Sequence, residues 1–184
     1  MPLVTLIGYR GTGKSTVARL LAERLPAPWV DADAVLEERL GCTITALVGE
    51  RGEAAFRDAE AEVLADLLGT FRGVLATGGG VVVREANRRL LADRGRPIVW
   101  LTAPVAVIRQ RLAADPVTAG RRPALHGNDV LAEVEAMVRE REPLYRSCAD
   151  YSIDTATHSP AAVVGQIVAW LGRAAAGADE RRPS

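Results

Sequence analysis

The chain has 184 residues, 48% of them apolar and 25% charged, and its 23 basic and 23 acidic side chains give a formal net charge of zero. That length suits one domain with a substantial core, and the even charge offers no electrostatic case for a nucleic-acid or membrane partner. No apolar run is long enough to span a bilayer, no basic region precedes the short apolar N-terminus, and Cys42 and Cys148 stand outside any paired spacing, which together predict a cytoplasmic protein with free thiols.

Leu3 to Ile7 reads as a buried strand and Lys14 to Leu25 as the helix after it, with Val17, Leu20, Leu21 and Leu25 on one face. Trp29 to Asp31 is a short second strand. A helical region is predicted over Ala34 to Leu68, broken near Gly41 and again near Gly49 and Gly52. Val74 to Thr77 is a third strand running into Gly78, Gly79 and Gly80, and Ile98 to Leu101 is a fourth. Pro104 suits a helix start, where its missing N–H costs nothing. The Gly-, Pro- and Arg-rich segment from Ala113 to Asn128 reads as an excursion, followed by helix from Asp129 to Arg146, a fifth strand over Tyr151 to Ile153, and a last helix from Ser159-Pro160 to Leu171. Residues 173–184 are small and charged and are predicted to be disordered, leaving residues 1–172 as a single domain.

Strands alternating with helices imply a parallel sheet with helices on both faces, and in such sheets ligands sit beyond the carboxyl ends of the strands. The loops after Ile7, Asp31 and Thr77 should therefore share one rim. Of the 23 basic residues 22 are arginine, and the one lysine, Lys14, stands in Gly8-Tyr9-Arg10-Gly11-Thr12-Gly13-Lys14-Ser15. This segment fits G-x-x-x-x-G-K-[ST] between a strand and a helix, the context of a phosphate-binding loop. Its glycines turn backbone N–H groups inward, the helix N-terminus adds partial positive charge, Lys14 reaches terminal phosphates and Ser15 offers a hydroxyl to magnesium. A compact ammonium fits inside such a loop where a guanidinium fork does not. Arg10 could contact phosphate or face water, with water the preferred reading, and His126 and His158 read as polar surface.

Asp31 and Asp33, alternate residues at a strand end, should project the same way and place two carboxylates by the phosphates, one for a metal-bound water and one for the proton of an attacking hydroxyl. Arg57 and Glu60 lie one helical turn apart, so Glu60 can aim the Arg57 fork at an anionic substrate group. Gly78, Gly79 and Gly80 would let a small acceptor approach the backbone.

These motifs, with R-P-x-L at Arg122 to Leu125 and R-x-P-L-Y at Arg141 to Tyr145, resemble the shikimate kinases over Leu3 to Leu171. The resemblance implies an α/β fold of three layers, a five-stranded parallel sheet of order 2-3-1-4-5 with helices on both faces, a substrate-binding region over about residues 33–61, and a mobile lid over about residues 113–128 that closes on ATP. It implies transfer of the γ-phosphate of ATP to the 3-hydroxyl of shikimate, giving shikimate 3-phosphate and ADP on the route to chorismate and the aromatic amino acids. Magnesium, ATP and shikimate are the implied small-molecule partners, and a monomer the implied state. Gly11, Thr12, Gly13, Lys14, Ser15 and Thr16 would cradle the phosphates, and Arg111 and Pro160 would pack adenine. Ser15 and, through water, Asp31 would serve the metal. Asp33 would help deprotonate the attacking hydroxyl, Arg57 and Arg141 would grip the carboxylate, and Gly78, Gly79 and Gly80 would line the ring. Arg122 would join Lys14 on the transferring phosphoryl, although the adjacent Arg121 leaves open which arginine does so. A gluconate kinase is the alternative with the same loop and sheet. A nucleoside monophosphate kinase would need more room between strands two and three for base recognition. A guanine-reading N-K-x-D is excluded, because the single lysine is already used.

Overall fold

A computed structural model describes residues 1–114 and 130–179. Strand β1 (Val4–Ile7) is followed by α1 (Lys14–Arg24), β2 (Trp29–Asp31), α2 (Ala32–Leu40), α3 (Ile44–Thr70), β3 (Val74–Ala76), α4 (Glu85–Arg94), β4 (Ile98–Thr102), α5 (Val105–Ala114), α6 (Val130–Cys148), β5 (Tyr151–Asp154) and α7 (Pro160–Asp179). The five strands form one all-parallel sheet in the order β2-β3-β1-β4-β5, as expected.

Alternation along each strand divides the core in two. Val4 and Leu6 of β1, Val74 and Ala76 of β3, and Val99 and Leu101 of β4 face α1 and α7, meeting Val17, Leu21, Val163 and Ile167. Ile7, Leu75, Ile98 and Trp100 point to the opposite layer, where they meet Leu64 and Leu68 of α3, Leu91 of α4, Ile108 of α5 and Tyr145 of α6. Central strands buried on both faces read as near-continuous apolar runs, which is why LVTLI and IVWL were legible as strands. Leu6 and Ile7 are fully buried and each contributes on the order of 2 kcal/mol by leaving water, fixing the strand that ends in the glycine loop.

Four elements depart from expectation. Helix α2 begins at Ala32, two residues early, because the Asp31 side chain accepts from the Asp33 N–H and caps it. Helix α3 runs through Gly49 and is kinked only at Gly52, whose φ of 80° and ψ of 169° lie outside the helical region. Helix α4 has no sequence counterpart: EANRRLLADR lacks an apolar stripe, and its buried residues are Asn87 and Leu91. Helix α7 continues past Gly172 to Asp179, so the tail expected to be disordered from residue 173 is helical through residue 179. Ala174, Ala175 and Ala176 are strong helix formers and outweigh the unfavourable Gly172 and Gly177. Among the described residues no helix is long and apolar enough to cross a membrane.

Candidate active site

The carboxyl ends of β1, β2 and β3 meet as anticipated. Thr77, just past β3, donates its N–H and hydroxyl to the Leu6 carbonyl at 3.1 and 3.0 Å, stitching the third loop to the first. Gly8 follows β1 with φ 143°, and a Cβ there would lie 2.3 Å from the Leu101 carbonyl oxygen, so the chain can leave the sheet only through glycine. Gly13 caps α1 in the left-handed region, turning the helix N-terminus into the loop.

Lys14 crosses the inside of this loop. Its Nζ donates to the carbonyls of Gly8 and Tyr9 at 2.9 and 3.0 Å. The Tyr9 carbonyl also accepts from the Thr12 hydroxyl at 2.7 Å, so the loop holds its curvature before any anion arrives. That hydroxyl is committed to the loop, and Thr12 is not among the cavity-lining residues. Ser15 Oγ donates to Asp31 Oδ2 at 2.5 Å, while Asp31 Oδ1 accepts from the Asp33 N–H at 3.0 Å. A hydroxyl and a carboxylate side by side are oxygen donors suited to magnesium, which takes few protein ligands and completes its shell with phosphate and water. In keeping with that mode, the described residues contain no cluster of three or more metal-ligating side chains. Asp31 and Asp33 both line the cavity, but strand alternation is not the cause: Asp33 lies in the first turn of α2, placed by the helix that Asp31 caps.

Arg57 is buried on α3. Its Nη1 donates to Glu60 Oε2 at 2.7 Å, and its Nη2 and Nε donate to Glu53 Oε1 at 2.9 and 3.2 Å. Burial opposes its charge, yet the carboxylates of Glu60 and Glu53 outweigh that and hold its pKa above the ordinary arginine value. The guanidinium also stacks over Phe56, 4.8 Å from the ring centroid.

The three glycines do something other than expose backbone to a ligand. A Cβ at Gly80 would lie 2.0 Å from Arg57 Nη1, and one at Gly78 would lie 2.6 Å from Asp33 Oδ1 and 2.8 Å from Glu60 Oε1. The space above both is thus filled by charged side chains of this chain, and of the three only Gly79 lines the cavity. The Gly79 carbonyl accepts from Tyr145 Oη and, at 3.5 Å, from Arg141 Nη1. Burial drives the Tyr145 pKa up despite the nearby Arg141, keeping the phenol a donor.

The resulting cavity has a volume of about 500 Å³ and is bordered by Lys14, Ser15, Asp31, Asp33, Arg57 and Arg141. Gly11, Gly13, Thr16 and Arg111 line it as well; Pro160, the first residue of α7, does not. Arg111 donates to the Thr155 carbonyl and hydroxyl at 2.6 and 2.8 Å and to the Gly11 carbonyl at 3.3 Å, tying the loop to the chain after β5. Arg122, Arg121 and His126 lie outside the described residues. Sequence reasoning missed Thr45, Val48, Glu53 and Met137 as cavity residues. The four-residue spacing of Glu53 and Arg57 was a usable signal. Arg10, expected to face water, borders the cavity.

Comparison with known proteins agrees with this geometry. A family model described as shikimate kinase matches residues 10–172. A shikimate kinase of Oleidesulfovibrio alaskensis is 42% identical over 174 residues, covering 95% of this chain and 99% of the relative. The structure of shikimate kinase from Acinetobacter baumannii in complex with shikimate superposes with a TM-score of 0.83 at 35% identity, covering 90% of this chain and 89% of that one. A gluconokinase from Sinorhizobium meliloti shares the fold alone, at 18% identity and a TM-score of 0.61 over 98% of this chain and 97% of that one. A lysine-bearing glycine loop opening onto a buried Arg141 and a buried, carboxylate-braced Arg57 is thus accompanied by similarity along nearly the whole length, and the chain belongs to the shikimate kinase family.

Proposed function

We propose that the protein transfers the γ-phosphate of ATP to the 3-hydroxyl of shikimate, releasing shikimate 3-phosphate and ADP. The observation that carries this reading is one cavity lined by the phosphate-binding loop, by two arginines from separate helices and by Asp33. A polyhydroxylated acid needs cationic forks for its carboxylate and acceptors for its hydroxyls, and this rim supplies both.

Arg57 and Arg141 bind the carboxylate, and Asp33 accepts the proton of the attacking hydroxyl. Asp33 Oδ1 is fixed against the Gly78 backbone, so the base is positioned before substrate enters. Lys14 and the inward N–H groups of the loop stabilise charge on the transferring phosphoryl. Magnesium, held through Ser15 and by water at Asp31, supplies charge neutralisation when bound. The protein acts as a cytoplasmic monomer on small molecules.

The direct test follows ADP formation with shikimate, gluconate, a nucleoside monophosphate or no acceptor. Shikimate is expected to give the fastest turnover by far; equal rates with and without it would overturn the reading. Gly80→Ala tests the role given to the glycines. Its Cβ needs the space of a guanidinium pinned by two carboxylates, so Arg57 must shift. The expected result is a KM for shikimate raised about tenfold, with the KM for ATP within about twofold of the parent. Steady-state kinetics with each substrate varied in turn checks both.

A further inference from the structure

Three of the cations bordering the cavity have strong acceptors or structural tasks. Lys14 holds two loop carbonyls, Arg57 is braced by Glu53 and Glu60, and Arg111 is tied to Thr155 and Gly11. Arg141 meets the Gly79 carbonyl at 3.5 Å, the Met137 sulfur at 3.7 Å and the Tyr145 side chain, and is the proposed carboxylate ligand. Arg10 is different. Its Nε is buried and meets no acceptor among the described residues, although the residue borders the cavity. A desolvated guanidinium N–H without an acceptor is costly, and in a ligand-binding cavity it marks a place where a ligand supplies the missing oxygen.

The fold also fixes which ligand. Arg10 and Arg141 lie 5.8 and 5.6 Å from the centroid of the same buried ring, that of Tyr9, so two guanidinium groups are held around one aromatic pivot. The Arg10 backbone N is 3.1 Å from where a Gly79 Cβ would stand, which places Arg10 against the glycine whose carbonyl Arg141 and Tyr145 engage. Arg10 therefore lies beside Gly79, while α1 begins farther along the loop at Lys14. Two carboxylates already compete for Arg57, whereas Arg10 sits on the loop whose lysine serves the phosphoryl group. We infer that Arg10 binds the phosphoryl group on the acceptor, making the site discriminate shikimate 3-phosphate from shikimate. This rests on the function proposed above.

A phosphomonoester carries up to two negative charges and three acceptor oxygens, so a single guanidinium separates product from substrate more than it separates two carboxylates. The experiment is isothermal titration of shikimate 3-phosphate, shikimate and ADP into the parent protein, Arg10→Gln and Arg10→Lys, with melting curves for all three. Arg10→Gln is expected to raise the Kd of shikimate 3-phosphate about tenfold while shifting those of shikimate and ADP by less than about twofold. Arg10→Lys, which keeps the charge, should recover part of that loss. Unchanged product affinity in a folded Arg10→Gln variant overturns the inference, as does an equal loss for shikimate. A parent protein that binds neither shikimate nor its phosphate would instead reject the function itself.

Discussion

Replacing Lys14 by alanine lowers kcat about a thousandfold, the size of effect expected when a preorganised charge on the transferring group is removed. The geometry explains why the loss falls on catalysis more than on folding. Lys14 Nζ bridges the Gly8 and Tyr9 carbonyls, but the Thr12 hydroxyl still holds the Tyr9 carbonyl, and Gly8 remains wedged against Leu101. The sheet beneath packs through Leu6 and Ile7, which Lys14 does not support. Single-turnover kinetics beside a thermal melt separate the two effects. A variant that turns over normally would remove Lys14 from the mechanism, and one that fails to fold would make the lysine a structural strut.

Replacing Arg57 by alanine raises the KM for shikimate about a hundredfold and also destabilises the fold. The sequence alone predicts mainly a binding defect. The structure adds that Glu60 is 5% exposed, with Oε1 buried and meeting no partner among the described residues and Oε2 bonded to Arg57. Taking the arginine away strands a buried carboxylate, a loss of about 3 kcal/mol. For a domain of this size that lowers Tm by roughly 10 °C. The double variant Arg57→Ala with Glu60→Gln should regain much of the Tm and none of the shikimate affinity. Calorimetry and kinetics on the single and double variants read the two roles apart; parallel recovery of both would show that Arg57 acts only by holding the fold.

What could be read from residues alone was whatever is encoded in short spacing. The loop at Gly8 to Ser15 and the positions of the strands were legible because glycine positions and apolar runs determine them locally, whereas the strand order followed from the family resemblance. Asp33 does line the cavity, but a helix cap and not the strand alternation invoked for it puts it there. Gly78 and Gly80 were misread because the atoms that need their space, on Asp33, Glu60 and Arg57, come from elements far away in sequence. Arg10 was read as solvated because its neighbours, Gly79 and the Tyr9 ring shared with Arg141, are assembled only by the tertiary fold. Helix α4 escaped because it buries an asparagine and one leucine in place of a stripe.

One cavity is lined by both the Gly8 to Ser15 loop and the pair Arg57 and Arg141, and phosphorus and proton NMR of a reaction with ATP and shikimate tests most directly the proposal that they hold triphosphate and carboxylate. A single new phosphomonoester signal, coupled to the ring proton at the 3-position and appearing in step with ADP, is the predicted result. Inorganic phosphate as the sole new species, or an ester at another hydroxyl, would contradict it.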